Sequence, residues 1–290
     1  MDKRESNKIF ESFKEDSKKF ETPPEPKQQQ AMDGSSGFDF ELPTETVPLP
    51  TKGLIYPANH ALHKKESADI RCMTAKDEDI LTSRALIRKG TVIDVLIKNC
   101  LIDKTIDVRN LTSGDRNALM IGLRITGYGQ DYTIEVDCPG CNNRQKHSFD
   151  LSNLPIKRLK IKPLEEFQNK FSFTLPKMNK EVTFRFLTGN DETELTKTFD
   201  RARKVSEVES VVTTRLAHSI VSIDGNTNRS FISKVVRNMP ALDSLALRQF
   251  IEENEPGIQM DGEITCVNCG WDGEVEIPIG VEFFWPQGRG

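Results

Sequence analysis

The sequence predicts an α+β protein of two similar lobes, each ending in a β-ribbon, with one metal ion shared between the ribbons. Three observations predict it. Cys138-Pro139-Gly140-Cys141 and Cys266-Val267-Asn268-Cys269 are two Cys-x-x-Cys steps 128 residues apart. Landmarks around the two steps recur at the same spacing. Alternating apolar stretches lead into helix-start signals in both halves. One knuckle supplies two thiolates, and a closed structural zinc site needs four ligands. The economical reading is a single Zn2+ held by Cys138, Cys141, Cys266 and Cys269. With every position filled by thiolate there is no room for a reactive water, so the metal is architectural and no catalytic residue is expected.

The elements follow in order. Residues 1–46 read as a disordered tail. They are charged and rich in Pro, Gln, Gly and Ser, a composition that buries too little apolar surface to offset chain entropy. Within the tail, Ile9, Phe10, Phe13 and Phe20 form a short amphipathic piece that could order on a partner. Residues 47–154 form the first lobe, 155–170 a basic, proline-bounded linker, and 171–290 the second lobe.

In the first lobe Ile70-Arg71-Cys72-Met73-Thr74 alternates like a strand and runs into Asp77-Glu78-Asp79. In the second, Phe184-Arg185-Phe186-Leu187-Thr188 runs into Asp191-Glu192, a step of 114. A Thr three residues before an Asp is a helix N-cap with acid in the first turn, where the helix dipole favours it. Middle helices are expected over Val92–Cys100, with Val92, Val95, Leu96 and Asn99 or Cys100 on one face, and over 211–221. Third helices start after Thr112 and at Pro240, and both stop at a left-handed glycine, Gly127 or Gly129 in one copy and Gly257 in the other. Phe171, Phe173 and Leu175, then Val182, Phe184 and Phe186, make a hairpin around Lys177-Met178-Asn179-Lys180.

Val108-Arg109-Asn110 pairs with Val236-Arg237-Asn238, Asp115 with Asp243, Leu119 with Leu247, and Cys138 with Cys266, each a step of 128. Several independent landmarks at one spacing point to an internal duplication. The change from 114 to 128 fits insertions near 205–210 and 226–231.

Composition narrows the function. The 290-residue chain has room for one large domain or two ordinary ones. Its net charge of −4 gives no general attraction to nucleic acid. No apolar run is long enough for a membrane span, and the N-terminus has no signal-peptide pattern. The chain is therefore expected in the cytosol where it is made, where thiols stay reduced and paired cysteines favour metal over disulfides.

The knuckles carry the chemistry. A two-residue spacer turns both sulfurs toward one ion, and the residue after the second Cys needs positive φ; Gly270 and Asn142 suit it. A redox reading would place Cys-x-x-Cys at the start of a helix, whereas these steps sit in ribbon tips. Cys72 and Cys100 read as buried apolar residues. His147 is a substitute ligand by position but reads as a surface ribbon residue; His60 and His63 form a loose loop pair, and His218 is structural. Asp77, Glu78 and Asp79 are first-turn helix acids. No phosphate loop, activated serine or metal-hydrolase helix is present, and no small-molecule substrate is expected. A zinc-ribbon nucleic-acid binder is the alternative. Against it stand Asp261, Glu263, Asp272, Glu274, Glu276 and Glu282 around the second knuckle, with no Lys or Arg from Ile251 until Arg289. The aromatic end, Phe283-Phe284-Trp285-Pro286, reads as tucked into the core, with a partner anchor as the other use.

The order of Leu49-Pro50-Thr51-Lys52-Gly53-Leu54-Ile55-Tyr56-Pro57, Met73 through Leu81, Asp115 through Leu123-Arg124 to Tyr128-Gly129, and Cys138-Pro139-Gly140-Cys141 resembles the baseplate protein family of T-even-type bacteriophages. The resemblance runs from about residue 47 to the C-terminus and is clearest in the first half. It implies a non-enzymatic phage tail protein, a baseplate hub subunit or a hub assembly factor. Its partners would be other baseplate and tail proteins, met in the host cytoplasm during assembly and, for a resident subunit, in the virion.

Overall fold

The computed structural model describes residues 42–204, 210–279 and 281–284. The readings of residues 1–41, of the insertion at 205–209 and of Trp285 and Pro286 lie outside the described residues. Residues 42–290 cluster as a single unit.

The chain enters through strand β1 (Thr44–Pro48), antiparallel to β2 (Ser67–Arg71), with Thr44 opposite Arg71 and Pro48 opposite Ser67. The strand thus begins inside the stretch assigned to the tail. Its edge residues Thr44, Glu45 and Thr46 are exposed, so they lack the apolar alternation that would have marked them as strand. The long β1–β2 connection turns at Lys52 (φ 52°) and Gly53 (φ 69°). A Cβ on Gly53 would sit 2.4 Å from the Leu62 carbonyl oxygen, so only glycine closes this loop. Buried Asp115 fastens it by accepting the Thr51 N–H (3.0 Å), the Thr51 hydroxyl (2.5 Å) and the Tyr56 hydroxyl (2.7 Å).

Thr74 then starts α1 (Ala75–Thr82) through a capping box with Asp77. Helix α2 (Arg84–Lys89) ends at Gly90 (φ 67°). Helix α3 (Val92–Cys100) buries Val92, Ile93, Leu96, Ile97 and Cys100. The stripe is rotated from the expected one, leaving Val95 37% exposed while Ile93 and Ile97 face the core. Helix α4 (Ser113–Tyr128) stops where expected, at Gly129 (φ 85°). The first ribbon follows, β3 (Asp131–Asp137) against β4 (Arg144–Asp150).

The linker is partly strand. β5 (Ile156–Lys157) pairs with β9 (Gly257–Ile258), far along the chain. β6 (Phe171–Thr174), β7 (Glu181–Phe184) and β8 (Ile220–Ile223) form a three-stranded sheet in that order. Helix α5 (Gly189–Lys204) follows β7, and α6 (Val211–Ser219) precedes β8. The middle helix expected over 211–221 therefore ends at Ser219, because Ile220, Ser222 and Ile223 turn onto the sheet and are buried. Helices α7 (Arg229–Arg237) and α8 (Ala241–Asn254) lead to β9 and the second ribbon, β10 (Asp261–Thr265) with β11 (Asp272–Glu276). Pro240 is the N-cap of α8, not its first helical residue, and α8 ends three residues before Gly257, which has no positive φ and belongs to β9.

Two apolar cores result, and they do not follow the sequence halves. The first gathers Leu49, Ile70, Leu96, Leu119 and Leu123 with Ile264, Ile277, Phe283 and Phe284 from the end of the chain. The second gathers Phe171, Val182, Phe184, Leu216, Ile232 and Leu247, and takes in Ile55 from the first loop. The second ribbon and the aromatic C-terminal turn thus pack on the first core. Buried Arg124 helps hold that turn by donating to the carbonyl of Phe283 (3.0 Å) as well as those of Gly129 and Asp131.

Candidate metal centre

Each ribbon tip is shaped by the same hydrogen bonds. The Cys138 N–H donates to the Asn143 carbonyl (3.0 Å) and the Asn142 N–H returns to the Cys138 carbonyl (2.8 Å). The Cys266 N–H donates to the Trp271 carbonyl (2.7 Å) and the Gly270 N–H returns to Cys266 (2.9 Å). Both turns close through a left-handed residue, Asn142 (φ 55°) and Gly270 (φ 72°), as the spacing required. A tight turn of this kind brings two sulfurs per tip to one side.

The tips face each other. Cys138 Sγ lies 3.7 Å from Cys269 Sγ, and Cys141 Sγ lies 3.7 Å from Cys266 Sγ. All four sulfurs are within 4.8 Å of one another and can hold a metal ion. Cys138 and Cys266 are buried, while Cys141 and Cys269 reach the surface. The Gly140 N–H points at Cys138 Sγ (3.3 Å), and the Asn268 side chain donates to Cys141 Sγ (3.6 Å). Donors aimed at sulfur favour thiolate. The Cys266 thiol is pushed down to about 6, chiefly by the backbone N–H of Cys269. Cys141 is lowered, chiefly by the Asn268 side chain. Cys269 rises to about 12: the Trp271 N–H lowers it, but neighbouring sulfurs outweigh that.

Three further residues complete the contact and were not apparent from the sequence. Trp271 lies over Gly140 of the opposite tip, where a Cβ would meet its side chain at 3.1 Å, and over Gly273 of its own ribbon. Gln145 accepts the Val267 N–H (3.3 Å) across the ribbons. Phe149 fills the space over Gly262, where a Cβ would lie 2.2 Å from its ring. The only sequence signal for these was a tryptophan and a phenylalanine opposite small residues.

The remaining candidates lie apart from the sulfurs. His147 is half-buried and its Nε2 is buried without a hydrogen-bond partner, so it is not the surface residue expected, nor is it among the clustered ligands. Cys100 is buried in the core and desolvation pushes its thiol up to about 12. Cys72 is half-buried. His60 stacks on Tyr56 at 4.3 Å, and His63 Nδ1 lies 2.8 Å from the Tyr56 carbonyl oxygen. Asp77 is committed to the α1 cap, as its position at the helix start implied. Phe283 and Phe284 are buried in the first core. Among the described residues, no helix is long and apolar enough to cross a membrane.

Fold and site together define a mixed helix-and-sheet protein whose two distant ribbons meet over a four-thiol cluster. Residues 55–285 match the family described as T4 bacteriophage base plate protein, and the chain belongs to that family. No curated protein and no solved structure matches it.

Proposed function

We propose that the protein is a non-enzymatic component or assembly factor of the phage baseplate hub, acting through protein–protein contacts around a structural zinc. One observation carries the metal: four sulfurs from ribbons more than 120 residues apart converge within 4.8 Å of one another, two of the edges at 3.7 Å. Zn–S bonds of about 2.3 Å in a tetrahedron give sulfur–sulfur edges of about 3.8 Å. Cys138, Cys141, Cys266 and Cys269 would be its ligands, and the ion would supply cohesion between the ribbons. The family supports a baseplate setting, with assembly in the host cytoplasm and residence in the virion as the finer reading.

Parallel capping networks in the two halves support a duplicated scaffold and, with it, the architectural role. Asp77 accepts the Thr74 N–H and hydroxyl (2.8 Å each) and a forked pair from Arg71 (2.7 and 3.0 Å). Asp191 accepts the same groups from Thr188 (2.8 and 2.7 Å) and Arg185 (2.7 and 2.6 Å). Buried Asp115 holds the N–H of Thr51, and buried Asp243 holds the N–H groups of Lys177 (2.6 Å) and Met178 (3.0 Å). These parallels favour two related lobes, 47–154 and 171–290, joined by 155–170. The second ribbon would then cross onto the first core, and the metal would clasp it to the first ribbon there.

The nucleic-acid reading loses support at the second ribbon, whose exposed carboxylates Asp261, Glu263, Asp272, Glu274 and Glu276 would repel phosphate. The test pairs gene deletion with complementation by wild type and by Cys138→Ser/Cys269→Ser, scoring finished baseplates and the protein in purified virions. Intact baseplates without the protein sink the hub reading. Full complementation by the cysteine variant sinks the metal's part in it.

A further inference from the structure

We propose that the chain associates head to tail with a second copy of itself. The exposed face of α7 and the start of α8 in one copy receives the outer face of the β10–β11 ribbon of the next. This deepens the reading that the protein works through protein contacts, and it names one partner.

The receiving face is cationic and apolar. Phe231 is 37% exposed, and Lys234 and Arg237 follow it on α7 at helical spacing. On α8, Leu242 (53% exposed), Leu245 (42%) and exposed Arg248 repeat at every third position. The only acid between Arg229 and Ile251 is Asp243, and its carboxylate is buried and bonded to the Lys177 and Met178 N–H groups. Lys234, Arg237 and Arg248 make no ion pair among the described residues. Arg229, by contrast, is occupied by the Ala217 and Ile220 carbonyls. Large apolar side chains interleaved with unpaired cations suit a protein surface carrying the opposite charge.

The occupant is argued from the ribbons. On the outer face of the second ribbon Asp261 stands directly opposite Glu276, and Glu263 directly opposite Glu274. Like charges facing each other across a strand pair are unfavourable. Toward its tip the first ribbon pairs opposite charges instead, with Glu135 opposite Lys146 and Asp137 opposite Arg144, and its one like-charge pair, Asp131 opposite Asp150, lies at its base. There Arg144 Nε reaches Asp137 at 3.2 Å. Folding a ribbon of this kind therefore does not need the repulsion. A cationic partner removes it on docking. Five exposed carboxylates on the ribbon complement the three cations on α7 and α8, and among the described residues no ion pair joins the two surfaces within one chain. Because the surfaces differ, the contact is heterologous and continues from copy to copy, as a ring where the rotation closes and as an open filament where it does not.

The experiment is sedimentation equilibrium of the zinc-loaded full chain across a hundredfold concentration range, at about 50 mM and about 1 M salt, where screening lengths differ several-fold. Mass should rise with concentration at low salt and fall to the monomer at high salt. Lys234→Glu/Arg237→Glu and Glu263→Lys/Glu274→Lys should each weaken association at least tenfold. Mixing the two variants should restore it, because each charge-reversed surface then meets its complement. Leu242→Glu/Leu245→Glu serves as a second helix-side variant, and retained zinc and circular dichroism show that each protein is folded. A monomer under all conditions, or a mixture no more associated than its components, overturns the proposal. Neither result bears on zinc content or baseplate incorporation, which test the function separately.

Discussion

Cys138 and Cys269 are 131 residues apart in the chain and 3.7 Å apart sulfur to sulfur. Backbone hydrogen bonds hold each tip in shape, but between the tips the described contacts are few: Trp271 over Gly140, Val267 bonded to Gln145, and the Asn268 side chain on Cys141 Sγ. A bound zinc would be the largest cohesive term between the tips themselves, since structural zinc binds thiolate sites with about 10–16 kcal/mol. The protein should contain one zinc per chain by elemental analysis. Cys138→Ser or Cys269→Ser should lose it, whereas Cys72→Ser should keep it. Chelation should lower Tm by on the order of 10 °C, since a few kcal/mol shifts Tm by several degrees each. Unchanged melting of the metal-free protein would refute the clasp.

Asp77 and Asp191 each bind an arginine and cap a helix. Burial raises the Asp77 carboxyl, but Arg71 and Thr74 outweigh it and hold the group well below the ordinary carboxylate range. Asp191 is lowered in the same way, against burial, by Arg185 and Thr188. A depressed folded pKa contributes stability that is present above the unfolded value and lost as pH falls through the folded one. Asp77→Asn or Asp191→Asn should therefore cost about 2–4 kcal/mol at neutral pH and flatten the acid side of the stability curve. Urea melts at pH 7 and below pH 4 check both.

Glu255 carries the opposite sign. Burial, then the charge of Glu192, push its carboxyl up from 4.5 to about 7 despite Arg215 and Lys157. A raised folded pKa favours the protonated form, so its stabilising contribution is complete below about 4.5 and disappears as pH rises through about 7. Glu255→Gln should stabilise the protein by about 1–3 kcal/mol at pH 8. It should leave stability almost unchanged at pH 4. A variant with no gain at pH 8 contradicts this account.

Gly114 sits in the first turn of α4 against the segment that joins α8 to β9. A Cβ there would lie 1.9 Å from the Pro256 carbonyl oxygen and 2.9 Å from Gly257 Cα. Backbone cannot rotate away as a side chain can. Gly114→Ala should cost about 3 kcal/mol or more in denaturant melts, at the upper end of overpacking penalties. Gly90→Ala is the control, since no atom lies within 4 Å of a Cβ there; its penalty comes from its φ of 67° alone.

Local features were legible in the sequence because they are set by neighbours within a few residues. Thr74 and Thr188 announce their helix starts through an acid three positions on. Asn142 and Gly270 announce the left-handed closure of each knuckle. Phe283 and Phe284 announce burial by their apolarity. Short apolar runs were ambiguous. Ile220-Val221-Ser222-Ile223 suits a helix end as well as a strand, and pairing with β7 decided it. Thr44–Thr46 became strand only because β2 lay alongside.

The sequence by itself determined the knuckles, the caps and the two ribbons, all products of local backbone geometry and periodicity. Only the tertiary structure decided that the second ribbon and the C-terminal turn complete the first core, and that Trp271, Gln145 and Phe149 fill the space between ribbons. Apolar burial has no direction of its own, so a residue's pattern tells that it will be covered and not by which distant segment.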